Sequence, residues 1–510
     1  MNLKKVLFLK NAAILTATSL ILRFIGIFFR VWLASAVGSE GMGLYQLVFS
    51  VYMLAATFAT SGISTAVTRL VSDELVFGSK NSVLKIVQKS IMLTLCIATL
   101  SMAAVYFFAR PIALYGIGDM RAVSALKTLS FSLPFMGISS CIKGYFIARR
   151  KTLPGSFSQI FEQIVRICVV VLTVCSVAHR GLEYTCAAVL FGDTVAEGAS
   201  LVLTLLFYLA DKKYLKNLIG REHPPYGVLR EIVRICAPIT GGRYLNTALR
   251  TVENMLVPAG LISFGMGNEA ALSQFGMIKG MALPVLFFPS SLLGAVSTLL
   301  IPEICEAKAK NQNGVVAWAT RRCLKITALS GCLFGGFFLV CGRQVGRLFY
   351  GDNAVGSLIV VLAPLTPLMY LDSVCDGILK GLDEQNFTFK NSFFDCAVRI
   401  ALVWFIVPRH GMAGFLGVMY VSNIFTCAMN VGRLIKVTGV KVRFFKSVLL
   451  PAALSGATCF GLSSALEFLS LSELAFAVTL LLSSILVYII LLNLTGVTEK
   501  SELASLFRFK

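Results

Sequence analysis

The sequence predicts an all-α polytopic membrane protein of about fourteen transmembrane helices, built as two parallel six-helix repeats (an N-lobe and a C-lobe) around a central cavity, with two more helices at the C-terminus. Three observations predict it. Apolar stretches of about 20 residues recur along the whole chain. Cationic residues alternate between the segments that join them, and part of the fourth and fifth helices recurs 233 residues later.

The composition demands lipid as the solvent. Of 510 residues, 57% are apolar and only 14% charged, and the mean hydropathy of +0.81 exceeds what a soluble core of this length would need. Polar punctuation divides the apolar runs into helices near 11–36, 44–68, 86–109, 122–148, 156–178, 183–210, 229–257, 270–300, 318–341, 355–381, 388–407, 412–435, 443–466 and 472–496. The first run carries Arg23 and Arg30 and is too long and too charged for a cleaved signal peptide, so it is expected to remain as the first helix. In the ninth, Arg321, Arg322 and Lys325 are expected at its cytoplasmic entry. The fourteen cysteines are scattered through apolar helices with no Cys-x-x-Cys spacing, which suits small buried residues rather than a disulfide framework.

The net charge of +21 does not imply a nucleic-acid partner. Most of the Lys and Arg residues fall in alternate segments, beginning with Lys4, Lys5 and Lys10 and ending with Lys500, Arg508 and Lys510. By the positive-inside rule these segments, and both termini, are cytoplasmic. Clusters such as Arg149-Arg150-Lys151, Lys212-Lys213 and Arg321-Arg322 then act as orientation signals beside membrane lipids.

The repeat is legible directly. Pro134 through Ile167 lies without a gap on Pro367 through Ile400, matching Pro134 with Pro367, Gly144 with Gly377, and Arg166-Ile167 with Arg399-Ile400. Glu162 and Asp395 coincide, so each copy sets an acid one helical turn before an arginine, as a structural intrahelical pair: Glu162 with Arg166 and Asp395 with Arg399. A second match places Ala66-Val67-Thr68, Leu70 and Glu74 on Ala295-Val296-Ser297, Leu299 and Glu303, at an offset of 229. The expected organisation is an N-lobe over 1–215 (helices one to six), a C-lobe over 216–440 (helices seven to twelve), and the last two helices with a short cytoplasmic tail over 441–510.

Arg23, Arg30, Lys127, Arg166, Arg243, Arg250, Lys279 and Arg399 fall inside the spans. Each costs about 2.5–3.5 kcal/mol there, and so requires an acid, a watery cavity or a helix end to snorkel to. Lys127 is near enough to a helix end to snorkel. Arg23 and Arg30 share a face of the first helix with no acid in reach within it. Arg243 and Arg250 repeat the spacing in the seventh, near Asn246, Glu253 and Asn254. The four arginines are therefore candidates for a cationic, substrate-binding cavity, with pairing to acids on other helices as the alternative. Asp193 and Glu197 share a face of the sixth helix, and Asp372 and Asp376 share one of the tenth. These four, with Glu253, are candidates for ion coupling or for charge balance. Pro238, Pro258, Pro284, Pro289, Pro364, Pro367 and Gly241-Gly242 are expected to interrupt or end the seventh, eighth and tenth helices.

No reaction chemistry is legible. There is no nucleotide loop, no metal-spaced His/Cys set among the three histidines and no extramembrane domain large enough for ATP. The expectation is a non-enzyme without a catalytic residue, metal or cofactor, with Na⁺ or H⁺ as the candidate coupling ion.

Leu22-Arg23-Phe24-Ile25-Gly26 through Phe29-Arg30, Gly38-Ser39-Glu40-Gly41-Met42-Gly43-Leu44-Tyr45-Gln46, Ser61-Gly62-Ile63-Ser64-Thr65-Ala66 and Ala237-Pro238-Ile239-Thr240 resemble the stage V sporulation protein B-like family of polysaccharide transporters. That family belongs to a superfamily shared with MATE multidrug exporters and MurJ lipid II flippases. The resemblance implies a two-lobed, six-plus-six fold in the cytoplasmic membrane of a bacterium. It also implies a cationic cavity for the diphosphate-sugar headgroup of a lipid carrier, and a groove for the lipid tail formed by the last two helices. Arg23 and Arg30, and Arg243 and Arg250, fall on the arginine-bearing helices of that pattern. The implied function is a monomeric, alternating-access flippase for an undecaprenyl-diphosphate-linked peptidoglycan (lipid II-like) or polysaccharide precursor. An ion-coupled exporter of cationic drugs and a non-transporting scaffold for envelope or spore assembly are the alternatives.

Overall fold

The computed structural model describes residues 3–77, 80–214, 227–291, 293, 304–440, 445–469 and 472–497. Among them every regular element is helical, and the helices account for fourteen spans. Two long helices are each two spans joined at a glycine with non-helical backbone: Leu3–Thr60 at Gly38 (φ 77°) and Gln385–Thr438 at Gly411 (φ 56°). Only a residue without a Cβ takes these angles cheaply. The spans are α1 (3–37), α2 (39–77), α3 (Lys80–Phe107), α4 (Ala122–Ala148), α5 (Leu153–Val177), α6 (Leu182–Tyr214), α7 (Val228–Ser263) and α8 (Asn268–Phe287). They continue with α9 (Asn313–Tyr350), α10 (Asn353–Gly381), α11 (385–410), α12 (412–438), α13 (Phe445–Glu467) and α14 (Glu473–Leu494).

All but α7 lie in segments long and apolar enough to cross a membrane. α7 has the length, and its arginines make it the polar exception. In the second sequence match, the copy at Ala295 through Glu303 lies outside the described residues.

The chain divides into two compact units, Met1–Ser273 and Gln274–Lys510. In the first, α7 lies antiparallel along α2. Thr251 donates to the Ser50 carbonyl, Tyr244 meets Phe58 edge-on, and Thr240 donates to the Ser61 carbonyl. That last bond falls where α2 breaks between Thr60 and Ile63 and where Gly62 lies against the Cys236 backbone. A buried core of α2, α3, α4, α6 and α7 surrounds Tyr145 and Phe146. In the second unit, α9 packs on α10, α13 and α14. Gly336 faces the Ser455 backbone, and the Tyr488 hydroxyl donates to the Leu329 carbonyl.

The two units repeat one another beyond what side chains alone reveal. At the offset of 233, Asp119 accepts from the Arg121 amide at the start of α4, and Asp352 accepts from the Ala354 amide at the start of α10. Where α4 and α10 end, Lys151 N–H donates to the Phe146 carbonyl and Glu384 N–H to the Leu379 carbonyl. Between these closures stand two left-handed residues, Arg150 (φ 57°) and Asp383 (φ 63°).

The prolines behave differently from the expectation in one helix. α7 runs unbroken through Pro238 and Pro258, held on one flank by the bonds to α2. α8 does change to a π-helical turn at Met277–Ala282, just before Pro284, and α10 to a 3₁₀ turn at Ala363–Leu365.

Candidate functional site

α1 presents Arg23 exposed and Arg30 partly buried. Among the described residues neither lies within ion-pair distance of a carboxylate. The same holds for Arg243 on α7, which is exposed. Arg250, also exposed, donates to Asn246 Oδ1 at 3.0 Å, while Glu253 is buried in the same helix.

Two acids of the first unit, Glu162 and Asp193, are held by another cation. Arg166 on α5 bonds Glu162 Oε1 at 2.9 Å, as the i,i+4 spacing requires. It also reaches across to Asp193 Oδ1 on α6 at 2.6 Å and donates to Gln163 Oε1 at 2.8 Å. Lys143 on α4 approaches Glu162 at 3.9 Å. Asp193 is buried, and its second oxygen, Oδ2, has no hydrogen-bond partner among the described residues. Glu197, one turn along α6, makes no hydrogen bond or ion pair among the described residues, and the charges of Glu162, Lys143, Arg166 and Asp193 act on it. From α2, the Tyr45 hydroxyl lies within electrostatic reach of Arg30, Asp193 and Arg166. Tyr52, buried beside it, accepts from Ser132 at 2.8 Å.

The second unit answers with amides. Asn391 on α11 donates to Asn430 on α12 at 3.0 Å, and Asn430 donates to Asp372 on α10 at 2.8 Å. Asp395 accepts from Ser422 at 2.6 Å and stands 4.0 Å from Arg399. Asp376 pairs with Lys380 within α10 at 2.5 Å. Lys279 lies 5.9 Å over the Phe415 ring, and in the first unit Lys127 lies 5.3 Å over that of Tyr106. Lys127 therefore has an aromatic face to rest on beyond a helix end to snorkel to.

The structure thus joins Glu162, Arg166 and Asp193, and places Glu197 among their charges. The sequence reading missed Lys143, Gln163, Tyr45 and Tyr52 as members. Lys143 had a signal, since the offset of 233 places it on Asp376, a charged position in the other copy.

A matching family model, described as polysaccharide biosynthesis protein, spans residues 8–308. The chain belongs to the polysaccharide biosynthesis protein family. Stage V sporulation protein B of Bacillus subtilis (strain 168) is 26% identical to this family member over 97% of each chain. The solved lipid II flippase MurJ, in an inward closed conformation, superposes with a TM-score of 0.69 at 16% identity, covering 94% of this chain and 97% of MurJ. An inward-facing multidrug resistance MATE transporter superposes with a TM-score of 0.61 at 13% identity, covering 84% of this chain and all of the other. The polysaccharide biosynthesis family member is therefore a multi-pass membrane protein with the fold of the superfamily that includes MATE and MurJ. The expected resemblance and fold class both hold.

Proposed function

We propose that the protein is a flippase that moves an undecaprenyl-diphosphate-linked glycan, either a lipid II-like peptidoglycan precursor or a polysaccharide precursor, across a bacterial cytoplasmic membrane by alternating access. One observation carries the reading. Arg23 and Arg30 share a face of α1 and engage no carboxylate among the described residues, whereas the acids Glu162 and Asp193 are already held by Arg166. Unpaired arginines within a bilayer call for water or an anion, and a diphosphate accepts two guanidinium forks at once. Arg243 and Arg250 supply further cationic donors on α7. The proposed orientation puts both termini in the cytoplasm. The protein acts as a monomer and makes or breaks no covalent bond, and the candidate coupling ion is Na⁺ or H⁺ acting at Asp193, Glu197, Asp372 or Asp376. The lobes are assigned as 1–215 and 216–440, with 441–510 flanking them.

A second reading, an ion-coupled exporter of cationic drugs, is favoured by Glu197, a partly buried acid of α6 with no ion pair among the described residues. One experiment separates the two. The full-length protein is reconstituted in vesicles carrying a fluorescent undecaprenyl-diphosphate sugar, and label exposed to a membrane-impermeant quencher is followed. The protein is expected to speed its movement. Arg30→Ala is expected to slow it about tenfold or more, the scale of losing charge-assisted hydrogen bonds. If the lipid does not move but a cationic dye is pumped, the exporter reading holds. If neither moves, a membrane scaffold remains.

A further inference from the structure

We infer that Asn246 is a positioning residue for the anion site: by holding the Nε of Arg250 it leaves the two terminal nitrogens of that guanidinium as a fork for the diphosphate of a substrate. The inference rests on the proposed function of Arg250 as a cationic donor. Its observations come from α7 and from the seam that α7 makes with α2.

That seam fixes the rotation of α7. Thr240, Tyr244, Thr247 and Thr251 recur at helical spacing, and each meets α2. Thr240 donates to the Ser61 carbonyl at 2.6 Å, and Thr251 donates to the Ser50 carbonyl at 3.0 Å. Between them Tyr244 packs edge-on against Phe58, and the Thr247 and Thr57 hydroxyls share a bond at 3.4 Å. At about 100° per residue, Arg243, Asn246 and Arg250 fall together on a neighbouring flank, about a quarter-turn from the seam. Both arginines are exposed there, and Asn246 is partly buried.

Arg250 Nε donates to Asn246 Oδ1 at 3.0 Å, one turn back along the helix. Every guanidinium nitrogen is a donor, so the amide must present its oxygen to Arg250 and keep its NH₂ for another partner. Among the described residues that NH₂ engages no acceptor, and neither do the terminal nitrogens of Arg250. A mobile arginine loses rotamer freedom when it takes a ligand, and one already held by its Nε has less to lose. The edge that remains can grip two oxygens of a phosphate side by side. A neutral acceptor is the chemistry this arrangement needs. An acid in the same place would hold Arg250 as well but would spend its charge on an internal pair.

The test measures binding of inorganic pyrophosphate to the purified full-length protein and to variants. Arg250→Ala should weaken binding about tenfold or more, the scale of a lost charge-assisted fork. Asn246→Ala should weaken it about threefold to tenfold, the scale of ordering one long side chain afresh, and Asn246→Asp should weaken it further. Asn246→Gln keeps an amide oxygen in reach of the next turn and should stay within about twofold of the parent. In the Arg250→Ala background, Asn246→Ala should change binding less than about twofold, because its effect passes through the missing guanidinium. The inference is overturned if Asn246→Ala binds like the parent, or if it weakens binding as much without Arg250 as with it. Should Asn246→Ala fail to accumulate, Asn246→Asp decides: weaker binding supports the inference, and equal or tighter binding overturns it. In vesicles carrying the labelled undecaprenyl-diphosphate sugar, Asn246→Ala should slow movement by a similar factor. If pyrophosphate binding weakens and lipid movement does not, the flank serves a soluble anion and the inference is overturned. If Arg30→Ala loses binding while Arg250→Ala binds like the parent, the anion site stands on α1 and the inference alone falls. If neither substitution weakens binding, or the parent binds no pyrophosphate, the proposed function falls and the inference falls with it.

Discussion

The ends of α4 and α10 share a backbone and oppose each other in charge. At both, a left-handed residue follows the helix and the residue after it closes the same hydrogen bond. In the first unit Lys151, with Arg149, grips Asp211 on α6, which also accepts from the Tyr145 hydroxyl at 2.7 Å. In the second, Glu384, at the position of Lys151, grips Arg433 on α12 at 2.8 Å. The sign of the closing residue is reversed, and so is that of the residue it grips. Duplication has preserved what the backbone needs and left the side chains free to differ, provided that each closure still balances its own charge.

The largest break in this comparison should come from Asp211→Asn. The Asp211 side chain is nearly buried, at 6% exposure, and three donors depend on it. Removing one partner of such a pair costs about 3–5 kcal/mol, and should lower the thermal midpoint in detergent sharply. The counterpart, Glu384→Gln, involves side chains 21% and 32% exposed, and should cost about 1 kcal/mol. Equal shifts would show the two closures to be energetically alike despite their reversed sign.

A smaller contrast separates the two capping aspartates. Asp352→Ala removes an exposed cap and should cost about 1 kcal/mol. Asp119→Ala removes the same cap and also strands Arg121, which holds Asp119 and Glu40 at 2.6 Å each. Its midpoint should fall by at least twice as much. The smallest effect concerns the left-handed residues. Arg150→Gly and Asp383→Gly should each stabilise by up to about 1 kcal/mol, with Arg150→Gly gaining more because aspartate tolerates this conformation better. Denaturation midpoints of the pair would rank them.

Hydropathy alone revealed the spans, because lipid imposes the same demand on every helix. Only α7, diluted by Arg243 and Arg250, departs from it. The repeat was legible from Pro134 to Ile167, where side chains stayed similar. Its extension back to Asp119 was not, because Arg121 and Ala354 share only a backbone role. Intrahelical pairs such as Glu162 with Arg166 follow from spacing. The reach of Arg166 to Asp193 does not, since it depends on how α5 and α6 turn toward one another. The course of α7 along α2 was equally hidden. It is fixed by contacts such as Thr240 with Ser61 and Gly62 with Cys236, far apart in sequence and chemically unremarked.

Within the second unit the hairpin of α13 and α14 packs along α9, where Gly336 admits the Ser455 backbone to a distance that a methyl group would obstruct. Helices held mainly by such close van der Waals fit, with a half-exposed ion pair between Arg347 of α9 and Glu473 of α14 at 3.2 Å, compete with the acyl chains that would otherwise solvate the same surface. The attachment of this hairpin should therefore respond to the thickness and fluidity of the surrounding bilayer, whereas salt and pH should affect the charged closures far more than this seam.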